Sequence, residues 1–216
     1  MRLSVDGLMV LCTVVTLGLV GYRSAQPDGA LGGWVRERQA ATERRNLLNT
    51  EWDRILSVGQ LIGDAHTSAP IVEFADYECP FCRQMHPVLE EWLQSQPGSG
   101  VIYIHFPLPS HPQAPGAAAA AICAGRQERF HDMHVVLMTT AEWRSDSNWV
   151  REASQAGVSD IGQFTSCLTS AETLRQIEAS KELARKLAVS GTPSFFGRNG
   201  KRHLGVASGD ILSRLY

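Results

Sequence analysis

The sequence has no marked excess of charge of either sign. Its 216 residues include 20 Lys and Arg against 22 Asp and Glu, which gives a formal net charge of −2. The basic residues are scattered rather than gathered into a stripe, so the chain offers no electrostatic footprint for nucleic acid. A hydrophobic content of 44% excludes an intrinsically disordered chain. The length fits one domain of about 150–190 residues plus an extension.

Cysteine is also scarce, with five residues in the chain. Cys79 and Cys82 form a C-x-x-C pair, whereas Cys12, Cys123 and Cys167 are isolated. A structural zinc site needs four ligands, normally two such pairs or one pair with two histidines. Because there is no second pair, we expect no metal, and no organic cofactor is implied. The close pair is then either a redox site or a purely structural disulfide.

A long hydrophobic run is missing as well. Residues 7–22 carry no charge, but at about 1.5 Å per residue they reach only about 24 Å, short of a hydrocarbon core of roughly 30 Å. They form either a short membrane anchor or the apolar part of a signal sequence. In the candidate cleavage site that ends at Ala25, Arg23 occupies a position that should be small. An uncleaved anchor is therefore favoured.

The pattern around the C-x-x-C pair predicts reactive chemistry. Residues 71–75 alternate as a strand does, and a helix follows the cysteines. At the start of that helix, unpaired N–H groups and the helix dipole favour an anion, which lowers the pKa of the Cys79 thiol. Pro80 suits the first helical position. A C-x-x-C at a strand-to-helix junction is typical of a thioredoxin-like redox site.

The remaining pattern predicts an α/β domain with a helical insertion. Residues 24–33 are rich in Gly and Pro and indicate a linker, and a charged helix follows at 34–56. The expected domains are an anchor or signal sequence at 1–22, a linker and charged helix at 23–58, and an α/β domain at 59–216 with an insertion at about 113–188. Strands are predicted at 59–62, 71–75, 101–106, 193–197 and 201–204, and helices at 79–94, 117–125, 127–138, 148–156, 160–168, 173–187 and 209–216.

Three motifs together resemble the DsbA-like branch of the thioredoxin superfamily. They are Cys-Pro-Phe-Cys at 79–82, Gly-Thr-Pro at 191–193 before a strand, and His-Phe-Pro-Leu at 105–108. The resemblance covers about residues 59–216. It implies a thioredoxin-like fold interrupted by a helical subdomain, and thiol–disulfide exchange on exported proteins.

The resemblance also assigns the site. Cys79 matches the attacking nucleophile and Cys82 its buried partner. Thr192 and Pro193 match a cis-proline loop, which would hold an extended substrate beside the sulfurs. We expect Pro80 and Phe81 to contact substrate with them. Glu73 stands where the family often keeps a buried acid, as a proton acceptor for Cys82 through water; the alternative is a partly exposed strand carboxylate.

Two residues depart from the family pattern. Phe81 replaces the histidine that many members carry before the second cysteine, so we expect a less depressed pKa at Cys79 and a less oxidising pair. Glu78 precedes Cys79, and with Asp76 it is expected to form a solvated acidic rim.

The resemblance further implies a structural disulfide between Cys123 and Cys167, with two separate buried thiols as the alternative. No third metal ligand accompanies His131 and His134, so both are expected on a helix surface. His86 is expected to pack against the kink at Pro87, with a role in tuning the thiolate as the alternative.

The leading hypothesis is a membrane-tethered oxidoreductase that forms disulfides in exported proteins and is reoxidised by a quinone-linked membrane partner. It would be a single-pass protein of the cell inner membrane, with its catalytic domain in the periplasm or another extracytoplasmic space. The cysteine usage supports this placement, whereas the arginines after the apolar segment lean towards the cytosol. The alternatives are a reductase or isomerase with a membrane electron donor, and a non-catalytic peptide-binding or chaperone module.

Overall fold

The computed structural model describes residues 30–146 and 148–216. The predicted anchor at 7–22 lies outside the described residues. Within the described part of the chain, no helix combines the length and the apolar character needed to cross a membrane. The chain divides into a unit ending at Glu43 and a larger unit, Arg44–Tyr216, which holds the predicted redox motif.

Two helices stand where the sequence predicted one charged helix. Helix α1 spans Ala30–Thr50 and α2 spans Trp52–Val58, with Glu51 between them. The Glu51 carboxylate accepts a hydrogen bond from Lys186 Nζ at 2.7 Å. Ile55 and Val58 of α2 are buried in a hydrophobic cluster that also contains Leu183. The apolar side of α2 therefore packs onto the domain.

A five-stranded sheet forms the centre of the larger unit. Its strands are β1 (Gln60–Gly63), β2 (Ile71–Ala75), β3 (Gly100–His105), β4 (Ser194–Phe196) and β5 (Arg202–Leu204). The strand order is β1-β3-β2-β4-β5, with β2 and β3 parallel and the other pairs antiparallel. Every residue of β2 and β3 is buried. Such fully buried parallel strands require cover on both faces of the sheet.

Helices supply that cover and the insertion. They are α3 (Pro80–Ser95), α4 (Ala114–Gly125), α5 (Phe130–Thr139), α6 (Trp143–Asp146), α7 (Trp149–Gln155), α8 (Ile161–Leu168), α9 (Ala171–Lys186) and α10 (Gly209–Leu215). The short helix α6 was not predicted. The side chain of Asp160 accepts from the N–H of Gln163 and so caps α8. Residues 113–188 thus form the predicted helical insertion.

One disulfide joins two helices of the insertion. Cys123 of α4 and Cys167 of α8 are bonded, with an S–S distance of 1.99 Å and a Cα–Cα distance of 5.8 Å. This is the disulfide that the resemblance implied, and the alternative of two separate buried thiols is wrong. Cys79 and Cys82 are free thiols.

Candidate active site

The free thiols of Cys79 and Cys82 lie at the start of α3, a few residues after the end of β2. Cys79 is the N-cap residue with extended backbone angles, and Pro80 occupies the first helical position. Cys79 and Cys82 are only 3% and 1% exposed, whereas the Phe81 ring between them is 57% exposed. An apolar side chain therefore faces solvent beside a pair of nearly buried sulfurs.

The pKa values of the two thiols are shifted in opposite directions. The pKa of Cys79 is lowered to about 5, chiefly by the hydrogen bond from Cys82, with further help from Thr192 and from the N–H groups of Cys82 and Phe81; burial acts in the opposite direction. Burial raises the pKa of Cys82 strongly, and the hydrogen bond to Cys79 and the charge on Glu73 raise it further. Since only a thiolate attacks a disulfide, Cys79 is the reactive sulfur.

The pKa of Cys79 is lowered without a hydrogen bond from the Phe81 side chain. A pKa of about 5 lies between that of thioredoxin, about 7, and that of the strong oxidant DsbA, about 3.5. Phe81 offers no side-chain donor to the thiolate. The lowering therefore depends on Cys82, on Thr192 and on the backbone N–H groups of the first helical turn.

The loop before β4 lies against the same sulfur. The Thr192–Pro193 peptide bond is cis, and the carbonyl oxygen of Thr192 is 3.4 Å from Sγ of Cys79. The loop is held by the N–H of Gly205, which donates to the Pro193 carbonyl at 2.8 Å. Predicted site residues that lie more than a hundred positions apart in the sequence are thus brought together.

Glu73 is buried beneath the cysteines. It lies in β2, is 1% exposed, and burial raises its pKa to about 8. Its Oε2 atom has no hydrogen-bond partner among the residues that the structure describes. A partly exposed carboxylate, the alternative left open by the sequence, is therefore wrong. The carboxyl group is placed to hold a proton near neutral pH.

The prediction that Asp76 lies in a solvated rim is wrong. Asp76 is 2% exposed. Its Oδ2 accepts from the Leu108 N–H and lies within hydrogen-bond distance of His111 Nδ1, both at 2.8 Å. Its own N–H donates to Sγ of Cys82 at 3.5 Å. Asp76 therefore fixes the loop after β3 relative to the second cysteine.

Glu78, the other residue of the predicted rim, is half-buried. Its Oε2 accepts from the N–H groups of Gln113 and Ala114, at 2.8 and 3.1 Å. These N–H groups belong to the start of α4, where a carboxylate is favoured. The carboxylate thus joins the cysteine loop to the helical insertion. It is not among the causes of the shifted pKa of Cys79.

A buried cluster of tyrosines and histidines behind the cysteines escaped prediction. The hydroxyl of Tyr77 lies 3.2 Å from Nδ1 of His134, and the Tyr103 ring stacks on Tyr77 at 5.3 Å. His134 is 2% exposed, so the expected surface position is wrong. His86 is also buried, and its ring centroid is 5.1 Å from that of His134. The sequence did contain one signal for this cluster: Tyr103 and His105 stand at alternate positions of the 101–106 strand, so their side chains share one face of the sheet.

A groove opens where the loop after β3 meets α9. Its volume is about 590 Å³, and its lining includes Pro107, Leu108, Pro115, Leu174 and Ile177. The hydrogen bond from the Leu108 N–H to Asp76 connects this wall to the cysteine loop. Within residues 30–146 and 148–216, no group of three or more His, Cys, Asp or Glu is arranged to hold a metal ion.

Together, a low-pKa cysteine at a helix N-terminus, a buried partner thiol and an adjacent cis-proline loop define a thiol–disulfide exchange site. The sequence comparisons agree. A thioredoxin family model matches residues 57–208. A thioredoxin-like oxidoreductase from Silicibacter pomeroyi is 26% identical, with a TM-score of 0.66 over 73% of this chain and 90% of that one. The chain therefore belongs to the thioredoxin family.

More distant structures share the fold. A linker-deletion mutant of Proteus mirabilis ScsC has a TM-score of 0.71 at 20% identity, over 100% of this chain and 95% of that one. The thiol–disulfide exchange protein α-DsbA2 from Wolbachia pipientis has a TM-score of 0.71 at 19% identity, over 81% and 94% of the two chains.

The curated relatives are much longer proteins. The Na⁺/H⁺ antiporter NhaA 3 of Salinispora tropica is 33% identical over 152 residues, which are 70% of this chain and 23% of that protein. The NhaA 1 antiporter of Mycolicibacterium gilvum is 36% identical over 140 residues, 62% and 22% of the two chains. The match spans about a quarter of these relatives, and the transport activity in their names is not carried over.

Proposed function

We propose that this protein is an extracytoplasmic oxidase that forms disulfide bonds in exported proteins. The observation that carries the proposal is the asymmetry of the pair: the pKa of Cys79 is lowered to about 5 and that of Cys82 is raised. A stabilised Cys79 thiolate favours the reduced form of the pair, because the oxidised form has no such charge. A pair whose reduced form is stabilised donates its disulfide readily.

The reaction takes two exchange steps. A substrate thiolate attacks Sγ of Cys79; the Cys79–Cys82 bond breaks, and its electron pair goes to Sγ of Cys82, which takes a proton from Glu73. A second substrate thiolate then attacks the mixed disulfide, the substrate disulfide forms, and Cys79 leaves as a thiolate. The substrate has lost two electrons and the Cys79–Cys82 pair has gained them. Glu73, with its pKa raised to about 8, holds the proton to be donated near neutral pH.

Substrate binding uses the surface around Cys79. The exposed Phe81 ring and Pro80 supply apolar contact, and the backbone of Thr192 and Pro193 lies beside the sulfur for pairing with an extended chain. The groove lined by prolines and by Leu174 and Ile177 supports binding of a polypeptide rather than a small thiol. The substrates are exported proteins that carry cysteines.

Location and reoxidation complete the proposal. Residues 7–22 anchor the protein in the inner membrane by a single pass, residues 23–58 form the linker and charged helix, and the domain at 59–216 faces the periplasm or an equivalent extracytoplasmic space. A quinone-linked membrane protein reoxidises the pair. The support is the apolar N-terminal segment and the presence of a disulfide, Cys123–Cys167, which is typical of oxidising compartments.

A reductase or isomerase of the same fold is the second candidate. The absence of a donor on the Phe81 side chain favours it, because a less stabilised thiolate makes a less oxidising pair. A non-catalytic peptide-binding or chaperone module would have no need of the low-pKa Cys79.

The reduction potential of Cys79–Cys82 separates these candidates. The full-length protein would be equilibrated with glutathione buffers, and the redox state of this pair read by alkylation and mass spectrometry. We expect a potential between about −120 and −180 mV, the range of DsbA and protein disulfide isomerase. A potential near about −270 mV, that of thioredoxin, would overturn the oxidase proposal in favour of a reductase. A Cys79→Ser variant with full activity would establish the non-catalytic module.

A further inference from the structure

The carboxylate of Asp76 is fully buried between the end of β2 and the cysteine motif. Its Oδ1 accepts a hydrogen bond from the N–H of Glu78 at 2.8 Å. Its Oδ2 accepts from the N–H of Leu108 and from Nδ1 of His111, both at 2.8 Å. Burying a carboxylate is costly unless it is paired, and the exchange reaction proposed above has no use for this one. We call the Asp76 carboxylate and its three donors, Glu78, Leu108 and His111, the Asp76 clamp.

The backbone of Asp76 contacts both reactive cysteines. Its carbonyl oxygen accepts from the N–H of Cys79 at 3.1 Å. Its N–H donates to Sγ of Cys82 at 3.5 Å. A donor directed at a sulfur favours the negatively charged form of that sulfur. Because the clamp fixes the side chain of Asp76 on three sides, it also fixes the position of this N–H relative to Cys82.

The other surroundings of Cys82 oppose a negative charge on its sulfur. Burial raises its pKa, and the hydrogen bond with Cys79 and the charge on Glu73 raise it further; the hydrogen bond from the backbone of Asp76 acts in the opposite direction. Exchange nevertheless requires that charge. Cys82 leaves with the electron pair when a substrate thiolate attacks Cys79, and it attacks as a thiolate when the pair is reoxidised.

We propose that the N–H of Asp76, held by the Asp76 clamp, stabilises the Cys82 thiolate during exchange, and that His111 is a positioning residue for this step. The inference rests on the proposed exchange function. When the Cys79–Cys82 bond breaks, its electron pair goes to Sγ of Cys82. The hydrogen bond from Asp76 strengthens as the charge develops, until Glu73 delivers the proton. A donor fixed in advance at the place where charge develops lowers the barrier without reorganisation.

His111 is the member of the clamp that is open to substitution. Its side chain is 20% exposed, whereas that of Asp76 is fully buried. A carboxylate can only accept hydrogen bonds, so the ring carries its proton on Nδ1. Leu108 and His111 also line the groove of about 590 Å³. Truncating His111 therefore removes one of the three hydrogen bonds of the clamp without emptying the core.

The test separates the step that Cys79 performs from the step that Cys82 performs. Reduced full-length protein would be mixed with oxidised glutathione at pH 7, quenched with acid at intervals and read by mass spectrometry. The Cys79 thiolate attacks the glutathione disulfide, which gives a mixed disulfide and releases one glutathione thiolate. Cys82 then attacks Sγ of Cys79, which forms the Cys79–Cys82 bond and releases the second.

His111→Ala should slow the second step about 5- to 10-fold, a smaller loss than removing an oxyanion donor outright. The first step should keep the wild-type rate, so the mixed disulfide should accumulate. An unchanged first step also shows that the variant is folded.

Two further variants control for simple loss of structure. His111→Asn places an amide nitrogen where Nδ1 stood and should recover most of the rate of the second step. His203→Ala is the matched control. His203 is also half-buried and its Nε2 is 3.0 Å from the carbonyl oxygen of Val206, but it lies in β5 at the edge of the sheet. Both steps should keep the wild-type rate in this variant.

An unchanged second step in His111→Ala would overturn the proposal. So would equal slowing of both steps, equal slowing in His203→Ala, or no recovery in His111→Asn, because general loosening of the site would then explain the rates. Failure of the exchange function is a separate result: the wild-type protein would form no mixed disulfide at Cys79.

Discussion

The two cysteine pairs share one hydrophobic cluster but have different tasks. Cys123 and Cys167 come from two helices, are separated by 44 residues in sequence, and are bonded. Cys79 and Cys82 lie in one helical turn and are free thiols. A bond across a long loop restricts the unfolded chain, whereas a bond across two residues restricts it little. The long-range pair can therefore stabilise the fold, while the local pair is free to exchange.

The electrostatic surroundings reinforce this division. The local pair lies at a helix N-terminus and above a buried acid, Glu73, whose pKa is raised to about 8. Both features shift the acidities of the sulfurs, which is useful for chemistry, and burying the acid is in addition costly for stability. Removing the structural pair should therefore weaken the fold, and removing the buried acid should strengthen it.

The largest expected effect comes from the structural pair. Replacing both Cys123 and Cys167 by alanine should lower the free energy of unfolding by about 4 kcal/mol, since the disulfide closes a loop of 44 residues. Urea unfolding followed by circular dichroism measures this loss. The reduction potential of Cys79–Cys82 should stay the same. A potential that moved together with the stability would show that the two pairs are coupled, against the division argued above.

Sequence reasoning succeeded where the determining contacts are local. The strand–cysteine–helix order, the cis-proline loop and the helical insertion follow from short motifs and from hydrophobic periodicity. It failed for Asp76 and His134, which are buried, and it missed the hydrogen bonds of the half-buried Glu78. Each looked like a surface residue, but their partners Leu108, Gln113 and Tyr77 lie more than thirty positions away in the sequence. A polar residue's burial depends on a partner that the fold supplies, and one chain's pattern does not reveal that partner.

The buried acid gives the next effect, with the opposite sign. The Glu73 carboxyl has a pKa of about 8 when folded, against 4.5 as its ordinary value, so ionisation favours the unfolded chain. Wild type should lose stability relative to Glu73→Gln as the pH rises from about 4.5 to about 8, with little further change outside this range. We expect a difference on the order of 4 kcal/mol at pH 8.

Urea unfolding of wild type and Glu73→Gln across this pH range checks the prediction. Glu152 provides the matched control. It is also 1% exposed, but it is paired with Arg151 at 2.6 Å, so Glu152→Gln should destabilise the protein. A stability difference between wild type and Glu73→Gln that did not vary with pH would contradict a neutral, buried carboxyl.

The smallest effect is expected at Phe81, and it concerns the active pair alone. The ring is 57% exposed, so replacing it disturbs little packing. Phe81→His places a donor in the first turn of α3, where it can stabilise the Cys79 thiolate. The pKa of Cys79 should fall below its value of about 5 by up to about one unit, and the reduction potential should rise by up to about 30 mV. Thiolate absorbance against pH gives the first quantity and glutathione equilibration the second.

Phe81→Leu, which lacks a donor, should leave both unchanged. If leucine shifted them as much as histidine did, the aromatic ring itself would govern the acidity of Cys79, and the comparison of the two pairs would have to include packing around the sulfurs as well as the hydrogen bonds to them.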